Sequence, residues 1–248
     1  MLEVNNLMVF FENALALNGL SLNVREGEIV GLIGSNSAGK TTFMNTVSGL
    51  IIDMRIKEKR KGGERINVYG SIIYKGEEIT KTPPSERVRN GIVLSRERHP
   101  VFPESSVMEN FKIAGYLRSK ARIRQTVEFV FHLFPPLIPL QNRKAGFLSG
   151  GEQQMLAIGM ALVVRPKLLL LDEPLLGLSP MMQKAVVDAI VTLNREQGIT
   201  VVLSEQFARP VLPVVDRAYV VENGMLSLSG SGSELMNNPE IKAAYFGV

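Results

Sequence analysis

Three short segments bring together the residue types of phosphate chemistry. The first is Gly34-Ser35-Asn36-Ser37-Ala38-Gly39-Lys40-Thr41-Thr42, a glycine-bearing turn that ends in a lysine and two hydroxyls. The backbone N–H groups of such a turn can converge on a phosphate, and the helix that follows adds the positive end of its dipole. Lys40 then reaches the outer phosphate oxygens, and the Thr41 hydroxyl can ligate magnesium. The second segment is Asp172-Glu173-Pro174, in which Asp172 can hold the magnesium shell while Glu173 polarises an attacking water. The third is Leu148-Ser149-Gly150-Gly151-Glu152, where two glycines at a helix start leave bare N–H groups for a second anion-binding surface. Each has a plainer reading: a Gly/Ser-rich loop, a solvated turn and a well-capped helix.

The flanking sequence favours the chemical readings. Glu28 to Ile33 is an apolar run that predicts a buried strand, and a helix is predicted from Phe43 to about Gly49, so the glycine-rich turn sits between a strand and a helix. The leucine run from Lys167 to Leu171 predicts a parallel strand covered on both faces, with Asp172 and Glu173 at its carboxyl end, where open α/β sheets bind ligands. Ser149 and Glu152 form a capping box ahead of Met155, Leu156, Gly159, Leu162 and Val163.

Elsewhere, residues near 2–27 and 66–80 predict antiparallel strands, and about 107–165 is mostly helical, interrupted by Pro135-Pro136 and Pro139. Strands return at Thr200–Ser204 and Ala218–Glu222, and Asn223-Gly224 signals a hairpin.

With 248 residues, 45% of them hydrophobic, the chain can bury a substantial core as one unit of α/β class. No secretory segment opens it, and the best membrane candidate, Phe129 to Leu140, holds three prolines and is too short to span. The absence of cysteine excludes disulfides and thiolate metal sites. The net charge is +4, densest at Lys57-Glu58-Lys59-Arg60-Lys61 before Gly62-Gly63, which reads as an exposed loop or, alternatively, a contact to lipid headgroups or nucleic acid. Neither aromatic interleaving nor a basic helix supports nucleic-acid binding. Phe129, Phe131 and Phe134 read as core, and His99 and His132 lack metal-ligand spacing.

In this order, and with Pro166 just before the last, the phosphate loop, Leu148-Ser149-Gly150-Gly151-Glu152 and Leu170-Leu171-Asp172-Glu173-Pro174 resemble the ATP-binding cassette ATPases over essentially the whole chain. The resemblance implies a P-loop NTPase with a mixed core sheet, an N-terminal antiparallel β subdomain and a helical subdomain inserted at about 107–165, all in one cassette spanning 1–248. It implies ATP and Mg²⁺, with Thr41, Glu97 and Asp172 around the metal. It also implies head-to-tail dimers in which Ser149, Gly150, Gly151 and Glu152 of one subunit cap the γ-phosphate held by the loop of the other.

A finer resemblance is to the shorter of the two ATP subunits of branched-chain amino-acid importers. Phe11 falls at the adenine-stacking place, Glu97 replaces a usual glutamine, and Glu205-Gln206 stands where a histidine is usual. Gly177-Leu178-Ser179-Pro180 lacks a common aspartate, and the tail Ala243-Ala244-Tyr245-Phe246-Gly247-Val248 resembles a Tyr-Leu-Gly ending. This implies Glu173 as general base and Gln206 as γ-phosphate sensor. It also implies two transmembrane permease subunits, a second cassette ATPase and, indirectly, an extracytoplasmic solute-binding protein, at the cytoplasmic face of the cell membrane. Ser37, Arg96 and Ser204 depart from the pattern, in place of glycine, proline and valine; Ser37 held at positive φ would cost about 1 kcal/mol. Phe102 and Pro103 lie on the loop that in the family faces the transmembrane subunit, and both docking and ordinary packing account for them. A urea or amide importer ATPase would look nearly the same. A soluble cassette protein acting on ribosomes or DNA is opposed by the single cassette and the lack of a long coiled-coil insertion or basic groove.

Overall fold

The computed structural model describes residues 1–60, 62, 66–98 and 100–246. The chain opens with β1 (Leu2–Phe11) and β2 (Ala14–Val24), an antiparallel pair. Leu2 and Val4 point inward at alternate positions, then two residues intervene before Leu7. The extra residue is a bulge, with Asn6 at φ 48°, and it keeps Leu7 and Val9 on the buried face. Next come β3 (Ile29–Ile33), α1 (Lys40–Ser48), α2 (Leu50–Arg60), β4 (Ile66–Tyr74), β5 (Glu77–Glu78), α3 (Pro84–Arg89) and β6 (Ile92–Ser95). A helical stretch follows: α4 (Val107–Ala114), α5 (Lys120–Leu133), two 3₁₀ segments that include the prolines at 135, 136 and 139, and α6 (Gly150–Val163). The chain then returns through β7 (Leu168–Asp172), α7 (Pro180–Gln197), β8 (Thr200–Glu205), β9 (Arg217–Glu222), β10 (Met225–Ser231), α8 (Gly232–Asn237) and α9 (Pro239–Tyr245).

These strands make two sheets, an antiparallel one ordered β2-β1-β4-β5 and a mixed one ordered β10-β9-β3-β8-β7-β6. Pairing in the mixed sheet is parallel from β9 to β6, and β10 is antiparallel to β9 through the Asn223-Gly224 turn, whose φ values of 51° and 76° suit a tight hairpin.

Strand parity divides the core. On β3, β7 and β8, Ile29, Ile33, Leu169, Leu171, Val201 and Leu203 pack with α4–α7, whereas Val30, Leu32, Leu168, Leu170 and Val202 pack with α1 and the antiparallel sheet. That double cover explains why β7 is leucine at successive positions instead of alternating with polar residues. The helical stretch contributes Phe111, Val127, Val130, Phe134 and Leu156 to the first of these cores, with Phe129 and Phe131 partly buried against it. Among the described residues no helix is long and apolar enough to cross a membrane.

Two expectations need correction. The phosphate-loop helix begins at Lys40 instead of Phe43, because Gly39 at φ 106° turns the chain directly into helix and places Lys40, Thr41 and Thr42 in its first turn. Lys57, Glu58, Lys59 and Arg60 are not loop but the end of α2, where the basic chains meet the negative end of the helix dipole. Lys61, Gly63, His99 and the final Gly247 and Val248 lie outside the described residues.

One buried charge anchors the phosphate-loop helix. Arg87 on α3 is fully enclosed, and its five N–H donors meet five carbonyls. Nη1 donates to Thr46 and Val47 at 2.8 and 2.9 Å, Nε to Thr82 at 2.8 Å, and Nη2 to Thr80 at 3.1 Å and to Ile79. Thr46 and Val47 lie in the last turn of α1, so the guanidinium supplies donors at the helix end, where the Thr46 carbonyl otherwise accepts the Gly49 amide at 3.2 Å. Burial pushes the Arg87 pKa down to about 10, which leaves it charged at neutral pH.

Candidate active site

The carboxyl ends of the central parallel strands meet at the glycine-rich turn between β3 and α1. Its shape is set by close approaches: a Cβ on Gly34 would lie 2.5 Å from the Val221 carbonyl oxygen, and one on Gly39 2.7 Å from that of Ala16. Ser37 is held at φ 64°, as anticipated, at a cost of about 1 kcal/mol. No side chain caps α1 and no acid occupies its first turn, so the helix start presents its amides and positive dipole end to whatever enters. The start of α6 is different. Ser149 and Glu152 form a complete capping box there, with the Ser149 amide donating to Glu152 Oε2 at 2.7 Å.

Lys40 is 3% exposed. Its ammonium donates to the carbonyls of Gly34 and Ser35 at 2.8 and 2.9 Å and lies 3.1 Å from Glu173 Oε1. Thr41 Oγ1 donates to Asp172 Oδ1 at 3.2 Å. Ser204 Oγ donates to the same oxygen at 2.7 Å and accepts the Glu173 amide at 3.1 Å. Glu173 itself stands at φ 47°, a left-handed conformation that a non-glycine residue adopts only under constraint, and such strain clusters at functional sites.

A cavity of about 490 Å³ joins Lys40, Thr41 and Glu173 to Phe11, Ala16, Asn36, Ser37, Gly39, Thr42, Glu97, Arg98 and Leu176; Asp172 and Ser204 do not line it and connect to it through Thr41 and the Glu173 amide. The structure therefore brings Phe11, Glu97 and Glu173 to the phosphate loop from three distant parts of the chain. Gly34 and Ser35 contribute carbonyls to Lys40, and Ala38 is buried behind the loop. Ser149, Gly150, Gly151, Glu152 and Gln206 do not line this cavity. The first four start α6, and Gln206 follows β8, half-buried. A larger cleft of about 840 Å³ opens beside β2 and β9, but Arg217 there is already engaged by Glu28 at 2.8 Å and by Asn23 and Tyr219.

The site is rich in carboxylates. Burial raises the pKa of Asp172 above its ordinary value; the Ser204 and Thr41 hydrogen bonds oppose this, and the charges of Glu97 and Glu173 add to it. Burial also lifts Glu205, 4% exposed, to about 8, with Glu173 adding to the rise and the Leu175 amide, Lys40 and the Gln206 amide opposing it. Against these acids stands one buried cation among the cavity-lining residues described, Lys40.

Such a set fits magnesium. The hydroxyl of Thr41 and the carboxylates of Asp172 and Glu97 are hard oxygen donors, and a divalent cation would favour the ionised form of Asp172 against its burial, the main cause of its raised pKa, and against the lesser repulsion from Glu97 and Glu173. Mg²⁺ keeps several waters and substrate oxygens, so two or three protein oxygens suffice.

Reading the sequence missed Ser204 as a partner of Asp172, as well as Arg98 and Ala16 in the cavity wall. The sequence placed Ser204 at the carboxyl end of a predicted parallel strand, but nothing in it showed that this strand pairs with β7 so that Ser204 falls opposite Asp172.

The family model for ABC transporters matches residues 17–176. The chain is 40% identical over its whole length, and the whole of the relative, to the high-affinity branched-chain amino acid transport ATP-binding protein BraG of Pseudomonas aeruginosa. It is 30% identical to the probable branched-chain amino acid transport ATP-binding protein LivF of Archaeoglobus fulgidus, covering 100% of this chain and 99% of the relative. Its fold also superposes on a crystal structure of a nucleotide-free ATP-binding cassette from an ABC transporter, with a TM-score of 0.82, 25% identity, and 100% and 99% of the two chains covered.

Proposed function

The chain belongs to the ABC transporter family, as an ATP-binding, ATP-hydrolysing importer subunit of the LivF type, and from that premise we propose that it drives uptake of branched-chain amino acids. The observation that carries the catalytic part is the cluster at the ends of β3, β7 and β8, where Lys40 pairs with Glu173, Thr41 bonds Asp172, and the Ser204 hydroxyl joins Asp172 to the Glu173 amide. The solute assignment rests on the names of relatives aligned over the full length.

In this reading Phe11 stacks on adenine, and Lys40 with the loop amides from Gly34 to Thr42 holds the phosphates. Thr41, Glu97 and Asp172 hold Mg²⁺, which when bound would neutralise charge developing on the transferred phosphoryl group. Glu173 takes the proton of the attacking water as the new P–O bond forms and the bond to the departing ADP oxygen breaks. Lys40 now pairs with Glu173 at 3.1 Å, so entering phosphate would compete with that carboxylate for the ammonium and free it to act as a base.

Ser149, Gly150, Gly151 and Glu152 lie outside the cavity, which suits a role toward the γ-phosphate of a second cassette. Two transmembrane permeases would complete the assembly at the cytoplasmic face of the membrane, with helices at about 107–165 as the moving arm and a solute-binding protein engaged only through the permeases. Phe102, 47% exposed while its amide and carbonyl are pinned by Asn110, supports a docking role for that loop.

Uptake of labelled leucine and urea by cells lacking this subunit tests the solute. Loss of leucine uptake with urea uptake intact is expected, and the reverse would establish the amide importer. Gln206 tests the sensor. Gln206→Ala should lower turnover by about a hundredfold while calorimetric ATP affinity changes little. Unchanged turnover would move that role to another group, with Glu205 the nearest candidate.

A further inference from the structure

We propose that Ser204 is a positioning residue for hydrolysis, a hydroxyl that locks the magnesium carboxylate of Asp172 to the backbone of the general base Glu173. The proposal deepens the reading of the site given above and rests on it.

The sheet sets the geometry. In the parallel pairing of β7 with β8, Ser204 lies directly opposite Asp172, and the side chain is wholly buried. A serine hydroxyl has one hydrogen to give, and here it goes to Asp172 Oδ1 at 2.7 Å. Its lone pairs face the other way and accept the Glu173 amide at 3.1 Å, an amide that also donates to the Ser204 carbonyl at 3.1 Å. Both functions of one hydroxyl are thus used, one on each of two adjacent residues.

The consequence is mutual orientation. Asp172 Oδ1 receives two hydroxyls, from Ser204 and from Thr41 at 3.2 Å, which fixes the carboxylate plane relative to the phosphate-loop helix. Glu173 is held at φ 47°, and its amide is clamped by Ser204 twice. An apolar side chain at 204 would keep the carbonyl bond but lose the link between the two acids. Outer hydrogen-bond partners of metal ligands typically influence metal affinity or rate by 10- to 100-fold when removed, so the hydroxyl is expected to act on catalysis more than on folding.

The test compares Ser204→Val, Ser204→Thr and Glu173→Gln in purified protein, measuring ATP turnover, the KM for ATP, the Mg²⁺ concentration for half-maximal rate and the thermal midpoint. Ser204→Val should lower kcat about tenfold and raise the half-saturating Mg²⁺ several-fold, with KM for ATP at saturating Mg²⁺ within about twofold. Ser204→Thr, which restores the hydroxyl, should recover most of both. If Val leaves kcat and Mg²⁺ dependence unchanged while Glu173→Gln is inactive, the Ser204 inference fails and the site reading stands. The inference is also overturned if Val and Thr lose activity equally and in step with a fall in thermal midpoint, since the hydroxyl would then matter only as volume. Normal hydrolysis by Glu173→Gln would overturn the site reading itself, and the inference with it.

Discussion

Lys40→Ala should lower ATP turnover by a factor of about a thousand and weaken nucleotide binding as well. The ammonium is 3% exposed, and it is tied to the Gly34 and Ser35 carbonyls and to Glu173. The other cation in the cavity wall, Arg98, is largely exposed and lies 3.7 Å from Glu97, so it cannot take over a buried phosphate contact. Removing Lys40 would also leave Glu173 facing Asp172 and Glu205 with no positive partner, which makes the cavity repel the triphosphate it should attract. Both kcat and KM should therefore suffer. Phosphate release and calorimetry read the two effects, and far-UV circular dichroism checks that the fold is intact. Hydrolysis at the unaltered rate would remove the nucleotide site from this loop.

How much of this was legible in sequence depends on how local each signal is. β7, the α6 capping box and the Asn223-Gly224 hairpin were legible because each is written in a few adjacent residues. The phosphate loop was legible for the same reason, although the first turn of α1 was placed late: residues Lys40 to Thr42 are polar, and no apolar period marks them as helix. The end of α2 failed on the same ground. Ile51 is the one residue of α2 that is fully buried, so Lys57 to Arg60 carry no stripe that distinguishes helix from loop.

Ser204 and Arg87 were illegible for another reason. Each acts through partners that only the folded chain supplies: Ser204 meets Asp172 32 residues away across a parallel pair, and Arg87 meets Thr46 and Val47 at separations of 41 and 40. Parallel register cannot be read from a turn between the strands, because a long crossover joins them. Glu205 combines both cases. It is the last residue of an apolar strand, and its burial beside Lys40 and Glu173 follows from β8 lying between β3 and β7.

Glu173→Gln should reduce turnover by at least a hundredfold and leave ATP bound. The change is nearly isosteric, so it leaves the backbone strain at φ 47° untouched, but it removes the charge that accepts the water proton. It also removes the carboxylate that holds Lys40 at 3.1 Å, so the ammonium becomes available to phosphate without competition and nucleotide affinity should rise. ATP that binds and is not consumed should hold two cassettes closed around it. On a sizing column the variant should shift from monomer to dimer with ATP but not with ADP, if the chain pairs with itself. Adding Ser149→Arg should abolish that shift, since a bulky cation would stand at the start of α6, the place proposed to meet the partner's γ-phosphate. Because Ser149 also caps α6, loss of the cap alone would cost about 1 kcal/mol, and Ser149→Ala measures that contribution separately. The dimer should survive in the alanine variant and fail in the arginine one. Normal hydrolysis by Glu173→Gln would displace the general base. A variant that traps ATP yet stays monomeric, and dimerises only when a second cassette is added, would make the working assembly a heterodimer.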